Sequence, residues 1–302
     1  MSTPSAIHEE LRKILTIEHL PAMPHSALTV LQLDNDLSKV NINDLVRPIE
    51  ADPALAAQVL KFLNSSYFGF QSAISNVKQG VALVGIRIVK NFVLWKAVFS
   101  LIPKSMSGAF DVAMLWQDSL RRAMFARFML LEIKKGDAEM AFAGALLQDM
   151  AIPLLLKIKK AEYGAVLDQL AKGKASRLSE LEKSTFGWTH ADAGGFMGAA
   201  WKLPQQLTGI IESHLRIDEL LDESEEQAEK IAVALSAFLP IAANDSWLEQ
   251  ELFQKYFSKV FPGKERIIKT MFDRVDREFD QYAQIIQIPK PKRTLSSYIE
   301  ES

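Results

Sequence analysis

The chain has 302 residues, of which 48% are hydrophobic, and these values predict a folded globular protein with a sizeable buried core. Its formal net charge is −2, from 35 Lys and Arg against 37 Asp and Glu, so the composition gives no electrostatic reason to expect nucleic-acid binding. The sequence contains no cysteine, which excludes a disulfide framework and thiolate chemistry and favours a reducing compartment, so we expect a cytoplasmic protein.

Apolar residues recur with helical spacing along the whole chain, and no sustained alternation of apolar and polar residues indicates a strand. The sequence therefore predicts an all-α fold. In the first third, Asp52 supplies an N-cap acceptor and Pro53 a proline at the first helical position, which predicts a helix over DPALAAQVLKFLNSSYF. The following run VALVGIRIVKNFVLWKAVFSLI is interrupted by charges such as Arg87 and Lys96, so it predicts a pair of buried helices and no membrane insertion.

Turn-forming stretches divide the chain into three helical parts. We predict an N-terminal helical lobe over residues 1–101, a second lobe over residues 109–218, and a C-terminal helical extension over residues 219–302 that completes the bundle.

Four ionisable side chains occupy positions where a helix should present its core face. Asp149 lies three, four and seven residues after apolar residues in AFAGALLQDMAIP, and His214 has the same relation to apolar residues in QQLTGIIESHL. His190 opens HADAGGFMGAAW, whose small residues would let another helix or a ligand approach closely, and Asp118 lies on an apolar stripe of LWQDSLRRAMF. We expect all four side chains to face inward.

Two chemical interpretations of these side chains remain open. Imidazole nitrogens and carboxylate oxygens are standard ligands of Zn, Mn or Fe, but the same groups also form satisfied polar networks without an ion. Asp118 also has a simpler explanation in a surface ion pair with Arg122 four residues later, and Gln148 could point to solvent. The sequence contains no GxSxG elbow, phosphate-binding glycine loop or HExxH motif.

Three stretches together resemble the bacterial HDOD domain: LPAMPHSALTVLQL, DLVRPIEADPALAAQVLKFLNSSYFGF and ISNVKQGVALVGIRIVKNFVL. The matching elements are an LP-x-LP-like opening, a DPAL helix leading to Asn64 and Ser65, the nearby Gly69, and Gly85 in an ALxxLG-like segment. The resemblance implies an HDOD domain over residues 1–218, in which residues 109–218 form the HD-like lobe. It also implies an HD-domain-like orthogonal bundle of many helices, related to metal-dependent phosphohydrolases of the HD and HD-GYP type.

Such hydrolases hold one or two metal ions with several histidines, a His-Asp pair and a late Asp. Carried over to this chain, the resemblance implies a degenerate HD-like site at the following positions: Asp118, Gln148, Asp149, His190, His214 and Ser236. Gln148 stands where the family has the His of the His-Asp pair, Asp118 where it has the first His, and Ser236 nearest the late Asp. Because an amide and a hydroxyl are poor replacements for these ligands, we expect no tight metal binding, no cofactor and no phosphohydrolase activity.

The resemblance therefore favours a non-catalytic bacterial regulatory module that binds signalling proteins in trans or a small ligand. Asn64, Ser65 and Gly69 are then candidate surface determinants, although a helix end explains them equally well. Arg121 and Arg122 are candidate phosphate contacts, although exposed arginines usually only aid solubility.

The alternative function is a metal-dependent nucleotide or cyclic-dinucleotide phosphodiesterase with a reduced metal site. Its candidate metal ligands are Asp118, Asp149, His190 and His214.

Overall fold

The computed structural model of the chain describes residues 4–15, 20–33, 39–101, 111–173, 177–222, 227–286 and 288–300. Within these ranges the secondary structure is helical and includes no strand, which confirms the predicted all-α class. The predicted boundary between the two lobes falls on residues 102–110, which lie outside the described ranges.

The N-terminal lobe is built from short helices that pack on one another. Their bounds are α1 Pro4–Ile14, α2 His25–Leu31, α3 Ile42–Glu50, α4 Pro53–Leu63, α5 Val77–Val84 and α6 Ile86–Ser100. The apolar run after residue 80 forms α5 and α6, as predicted, and buries residues such as Val89, Val93 and Trp95.

The predicted start of α4 is confirmed, but its predicted end is wrong. The Asp52 carboxylate accepts hydrogen bonds from the amides of Ala54 at 3.1 Å and Leu55 at 3.0 Å. The helix ends at Leu63 instead of continuing to Phe68. The Asn64 side-chain amide donates to the carbonyl of Ile74 and accepts from its backbone amide. These two hydrogen bonds turn the chain out of the helix after Leu63.

The HD-like lobe contains the longest described helix, α7, against which later helices pack. The helices of this lobe are α7 Val112–Ile133, α8 Ala138–Leu147, α9 Ala151–Ile158, α10 Lys160–Ala171, α11 Leu178–Phe186, α12 His190–Ala200, α13 Gln205–Ser213 and α14 Ile217–Asp222.

The C-terminal extension returns to the same lobe. Its helices are α15 Ala228–Ser236, α16 Gln250–Val260, α17 Ile267–Ile286 and α18 Ser297–Glu300. Both α15 and α17 pack on α7, so the extension contacts the helix that contains Asp118, Arg121 and Arg122. One hydrophobic core runs through all three parts of the chain.

One segment, Ala138–Ile158, is long and apolar enough to cross a membrane by length and composition. Within the folded protein 89% of it is buried, and the core helix of a soluble protein passes the same test, so it is weak support for membrane insertion.

Candidate functional site

Residues Leu146–Met150, LLQDM, lie at a break between two helices, although the apolar residues on both sides are typical of one continuous helix. Helix α8 ends at Leu147, α9 begins at Ala151, and Asp149 lies in the turn between them. Pro153 accounts for the break, because it lacks an amide proton and its ring would collide with the carbonyl four residues earlier, that of Asp149. The turn directs the Asp149 carboxylate into the protein, and the predicted inward orientation of Asp149 is confirmed.

Both histidines also lie at helix ends. His190 is the first residue of α12, whose start is fixed by a capping box between Thr189 and Asp192. His214 follows the last residue of α13. Glycines of α12 allow α13 to approach closely, since a Cβ on Gly194 would lie 2.8 Å from the Ile211 side chain. The small residues after His190 therefore permit a helix contact, one of the two roles expected for them.

Asp149, His190 and His214 converge on one point and form what we call the Asp-His-His cluster. The His190 Nε2 atom lies 3.3 Å from Oδ1 of Asp149 and 3.2 Å from Nε2 of His214, and the latter lies 3.6 Å from the same Asp149 oxygen. Their exposed fractions are only 5%, 4% and 1% respectively. Three side chains far apart in sequence thus present one oxygen and two nitrogens to a shared, solvent-excluded centre.

Two further residues, which the sequence analysis missed, hold His190 in place. The Glu182 carboxylate lies 2.7 Å from Nδ1 of His190 and accepts the His190 backbone amide at 3.0 Å. The Tyr163 hydroxyl donates to the other oxygen of Glu182. Glu182 lies midway between the apolar residues Leu178 and Phe186, so the same periodicity that identified Asp149 could have identified it.

Arg122 binds the opposite side of the cluster. Its guanidinium donates to Oδ2 of Asp149, and both side chains are buried. The expectation that Arg122 forms a surface ion pair with Asp118 is therefore wrong, because α8 packs against α7 and Asp149, just after α8, binds the guanidinium instead. The expectation that Arg121 and Arg122 are exposed is also wrong, since 1% and 9% of these residues are exposed.

The charges around the cluster fix its protonation. Burial by itself raises the pKa of Asp149, but the Arg122 guanidinium and then His190 hold that pKa well below its ordinary value. Burial lowers the pKa of His190, but Glu182 and then Asp149 outweigh this and raise it to about 10. Burial, with the adjacent charge of His190, lowers the pKa of His214 to about 3. The centre thus combines two cations, Arg122 and His190, with two carboxylates and a neutral His214.

The hydrogen bonds agree with this assignment. The Ile211 carbonyl lies 2.6 Å from Nδ1 of His214 and can only accept, so the proton of His214 is on Nδ1 and its Nε2 faces the cluster as an acceptor. Protonated His190 donates from Nδ1 to Glu182 and from Nε2 toward Asp149 and His214.

The donor set of the cluster fits a metal ion in part. Three ligand atoms of suitable type lie within 4.8 Å of one another, and each histidine has an oxygen partner at its other nitrogen, as metal-bound histidines do. Two features oppose metal binding: the Arg122 guanidinium already binds the Asp149 carboxylate, and Nε2 of His190 carries a proton where a metal would bind. If an ion were bound, Asp149, His190 and His214 would be its ligands. The ion would lower the pKa of a bound water and so make that water a nucleophile.

The remaining predicted site residues lie outside the cluster. The Asp118 carboxylate accepts the Ala242 amide at 2.8 Å, and the Ser236 hydroxyl donates to the Val233 carbonyl at 2.7 Å. Gln148 is fully buried, so the expectation that it could point to solvent is wrong, and its amide atoms have no hydrogen-bond partner among the described residues. Desolvation raises the pKa of Asp118 to about 6, although Arg122 acts in the opposite direction.

Of the family-motif residues Asn64, Ser65 and Gly69, which the sequence analysis proposed as surface determinants, Asn64 has a structural role. Asn64 binds Ile74 through both backbone groups, at 2.7 and 2.9 Å, and thereby closes the loop that follows α4. Gly69 lies exposed in this loop with φ +62°, a conformation that favours glycine, and Ser65 is half-buried.

Comparison with known proteins places this geometry in a family. An uncharacterized protein of Treponema pallidum (strain Nichols) is 25% identical over 228 residues, 72% of this chain, and the matched region spans 42% of that relative's length. A crystal structure from Marinobacter aquaeolei VT8, described as a candidate signal transduction protein, matches with a TM-score of 0.73 and 17% identity over 96% of this chain and 68% of its own. A candidate phosphohydrolase from Shewanella amazonensis SB2B matches with a TM-score of 0.62 and 19% identity, over 98% of this chain and 93% of its own.

These structural matches show the fold, which confirms the HD-domain-like helical bundle. The HDOD domain model matches residues 20–217, about two thirds of the chain. This chain therefore belongs to the HDOD domain family.

Proposed function

We propose that this chain is a non-catalytic regulatory module of bacterial signal transduction, which acts by binding a protein or a small ligand. The observation that carries the proposal is the closed network of Arg122, Asp149, His190 and Glu182, in which each charge already has a partner of opposite sign. A module of this kind uses the HD-like shell for its shape and not for hydrolysis.

The network opposes metal binding for an electrostatic reason. A divalent ion on Asp149 would lie beside the Arg122 guanidinium, and its bond to His190 would require the loss of a proton held by Glu182 and Asp149. Displacing either group would leave a buried charge without a partner, which costs on the order of 3 to 5 kcal/mol. The network thus supports a module without a metal-activated water, and hence without hydrolytic activity.

Access to the centre supports the same proposal. A phosphoester must touch the metal-bound water that attacks it, yet at most 5% of each cluster residue is exposed. The candidate first ligand, Asp118, is occupied by the backbone of Ala242, 124 residues away in sequence.

The proposal is tested by elemental analysis of the purified chain together with phosphodiesterase assays in added Mn²⁺ or Fe²⁺. We expect less than stoichiometric metal and no turnover of a cyclic dinucleotide above a no-protein control. Stoichiometric metal that is lost in Asp149→Ala, together with turnover, would contradict the proposal.

A second candidate function is a metal-dependent phosphohydrolase with a reduced site, acting on a nucleotide or cyclic dinucleotide. The three ligand atoms within 4.8 Å favour it, as does the fold shared with a candidate phosphohydrolase. This function requires Arg122 to leave Asp149. Arg122→Met would then increase metal binding and turnover, whereas the non-catalytic module gains neither.

The remaining parts of the proposal follow from composition. We propose a cytoplasmic module that acts on signalling proteins in trans, without inserting into a membrane and without binding nucleic acid. The near-zero net charge supports the last of these.

A further inference from the structure

The last described segment, residues 288–300, lies against α7, and we name it the C-terminal strap. Side chains of α7 hold its backbone: Nε2 of Gln117 donates to the Pro289 carbonyl at 2.9 Å, and the guanidinium of Arg121 donates to the Arg293 carbonyl. The strap therefore covers the face of α7 from which Arg121 projects.

The C-terminal end of the strap is held by Asp276 of α17 and by the residues before α16, where the Tyr298 hydroxyl donates to the Asn244 carbonyl at 2.8 Å and the Arg293 guanidinium donates to the Asp245 carbonyl. The Asp276 carboxylate of α17 accepts the amides of Leu295 at 2.8 Å and Ser296 at 3.0 Å, and also the Ser296 hydroxyl at 2.9 Å. The Leu295 side chain is fully buried. Because one carboxylate accepts three hydrogen bonds from the strap, and Leu295 anchors the same point in the core, loss of either should release the segment from α7 without unfolding the helices beneath it.

Arg121 is an unusual residue to find under such a cover. It is 1% exposed, and its Nε and Nη1 atoms have no hydrogen-bond partner among the residues that the structure describes. Its described hydrogen bond goes to a neutral carbonyl, and the nearby Asp118 carboxylate accepts from the backbone of Ala242. A buried guanidinium with unused donors matches an oxyanion, which can accept two parallel hydrogen bonds.

We propose that the C-terminal strap is a releasable cover over Arg121, and that its release lets this guanidinium bind an oxyanion, the phosphate or carboxylate group of a ligand. In the closed state the Arg293 carbonyl takes the place of that oxyanion. This inference rests on the proposed function, because a module that acts by binding needs a ligand-binding group and a means of exposing it.

The test uses Asp276→Ala in the full chain, since this change removes three hydrogen bonds to the strap and keeps Arg121 itself. It also removes a negative charge that acts on Arg121, so the uncharged replacement Leu295→Ala must give the same result. We expect the strap amides to exchange hydrogen at least about tenfold faster, while exchange in α7 stays slow. Millimolar inorganic phosphate should then raise the melting temperature of the variant and leave that of the wild type unchanged. Acetate in place of phosphate separates a carboxylate ligand from a phosphate ligand.

Three further variants make the test decisive. Leu295→Ala releases the strap by an independent change and should give the same result. Lys290→Ala removes only an exposed ion pair between the strap and Asp280, so it should behave as the wild type. Arg121→Met in the Asp276→Ala background should lose the response to the anion.

The proposal is overturned if neither releasing variant speeds exchange in the strap. It is equally overturned if the strap is released but neither anion stabilises the protein, or if stabilisation survives Arg121→Met. These results are independent of metal content and phosphodiesterase activity, so failure here is distinguishable from failure of the proposed function.

Discussion

The orientation of His190 depends on Glu182 more than on any other described side chain. Glu182 binds both the ring and the backbone amide of His190, and Tyr163 donates to its second oxygen. Burial raises the pKa of Tyr163 well above its ordinary value, so the hydroxyl keeps its proton and remains a donor. His190 is thereby held as a cation next to Asp149.

The replacement Glu182→Gln should remove the pH dependence that His190 gives to stability. The pKa of His190 rises from 6.5 to about 10 on folding, so its stabilisation is present in full below pH 6.5 and is lost as pH rises through 10. The free energy of unfolding of the wild type should fall between pH 7 and 9, by up to about 1.4 kcal/mol per pH unit from this group. In Glu182→Gln the slope should be much smaller, as measured by urea denaturation.

Glu180→Gln is the matched control, because this exposed acid lies on the same helix two residues away. It should keep the slope of the wild type. An unchanged slope in Glu182→Gln would mean that Glu182 does not set the charge of His190.

Asp118 should also lower the stability as pH rises, but in a more acidic range than His190. Its pKa rises from 3.8 to about 6 on folding, so ionisation disfavours the folded state above pH 6 and this cost disappears below about pH 4. Asp118→Asn keeps an oxygen for the Ala242 amide and removes the charge. We expect the variant to be more stable than the wild type at pH 7.5, by about 1 to 3 kcal/mol, with the difference lost at pH 4. A difference that does not change with pH would contradict the raised pKa.

At the scale of helices, the sequence predicted that particular helices exist more readily than it predicted where they end. Helix α4 and the pair α5 and α6 follow from capping residues and apolar runs. The end of α4 depends on Asn64 binding the backbone of Ile74, ten residues later. The break at Asp149 depends on Pro153, whose ring would collide with the Asp149 carbonyl in a continuous helix. Helix ends set by a specific turn or side-chain contact are not visible in periodicity alone.

Close helix contact gives a prediction at this scale. A Cβ on Gly144 of α8 would lie 2.4 Å from the Ile210 side chain of α13. Gly144→Ala should therefore destabilise the protein by about 1 to 3 kcal/mol, because α8 and α13 must separate or repack. Thermal or urea unfolding measures the loss.

Gly164→Ala provides the comparison within helix α10, where the nearest atom to the added Cβ is 4.0 Å away. This change should be neutral or stabilising by up to about 1 kcal/mol, since Ala is the better helix former. Equal effects of the two substitutions would show that α8 and α13 do not pack as described.

At the scale of the whole molecule, the site is assembled from residues that lie far apart in the sequence, so their contacts could not be predicted from it. Periodicity predicted that Asp149 and His214 face inward, and the small residues after His190 indicated close packing there; all three side chains are buried. It did not predict that Arg122 would bind Asp149, 27 residues later, or that Asp118 would bind the backbone of Ala242. Those contacts depend on how α7 packs against α8 and the C-terminal extension.

The central claim is that the Asp-His-His cluster is neutralised by Arg122 and Glu182 and needs no metal. The most direct measurement is anomalous scattering from crystals of the full chain grown in excess Mn²⁺. We predict no anomalous peak between Asp149, His190 and His214, with the Arg122 guanidinium still on Asp149. A peak within coordination distance of all three, with Arg122 displaced, would contradict the account.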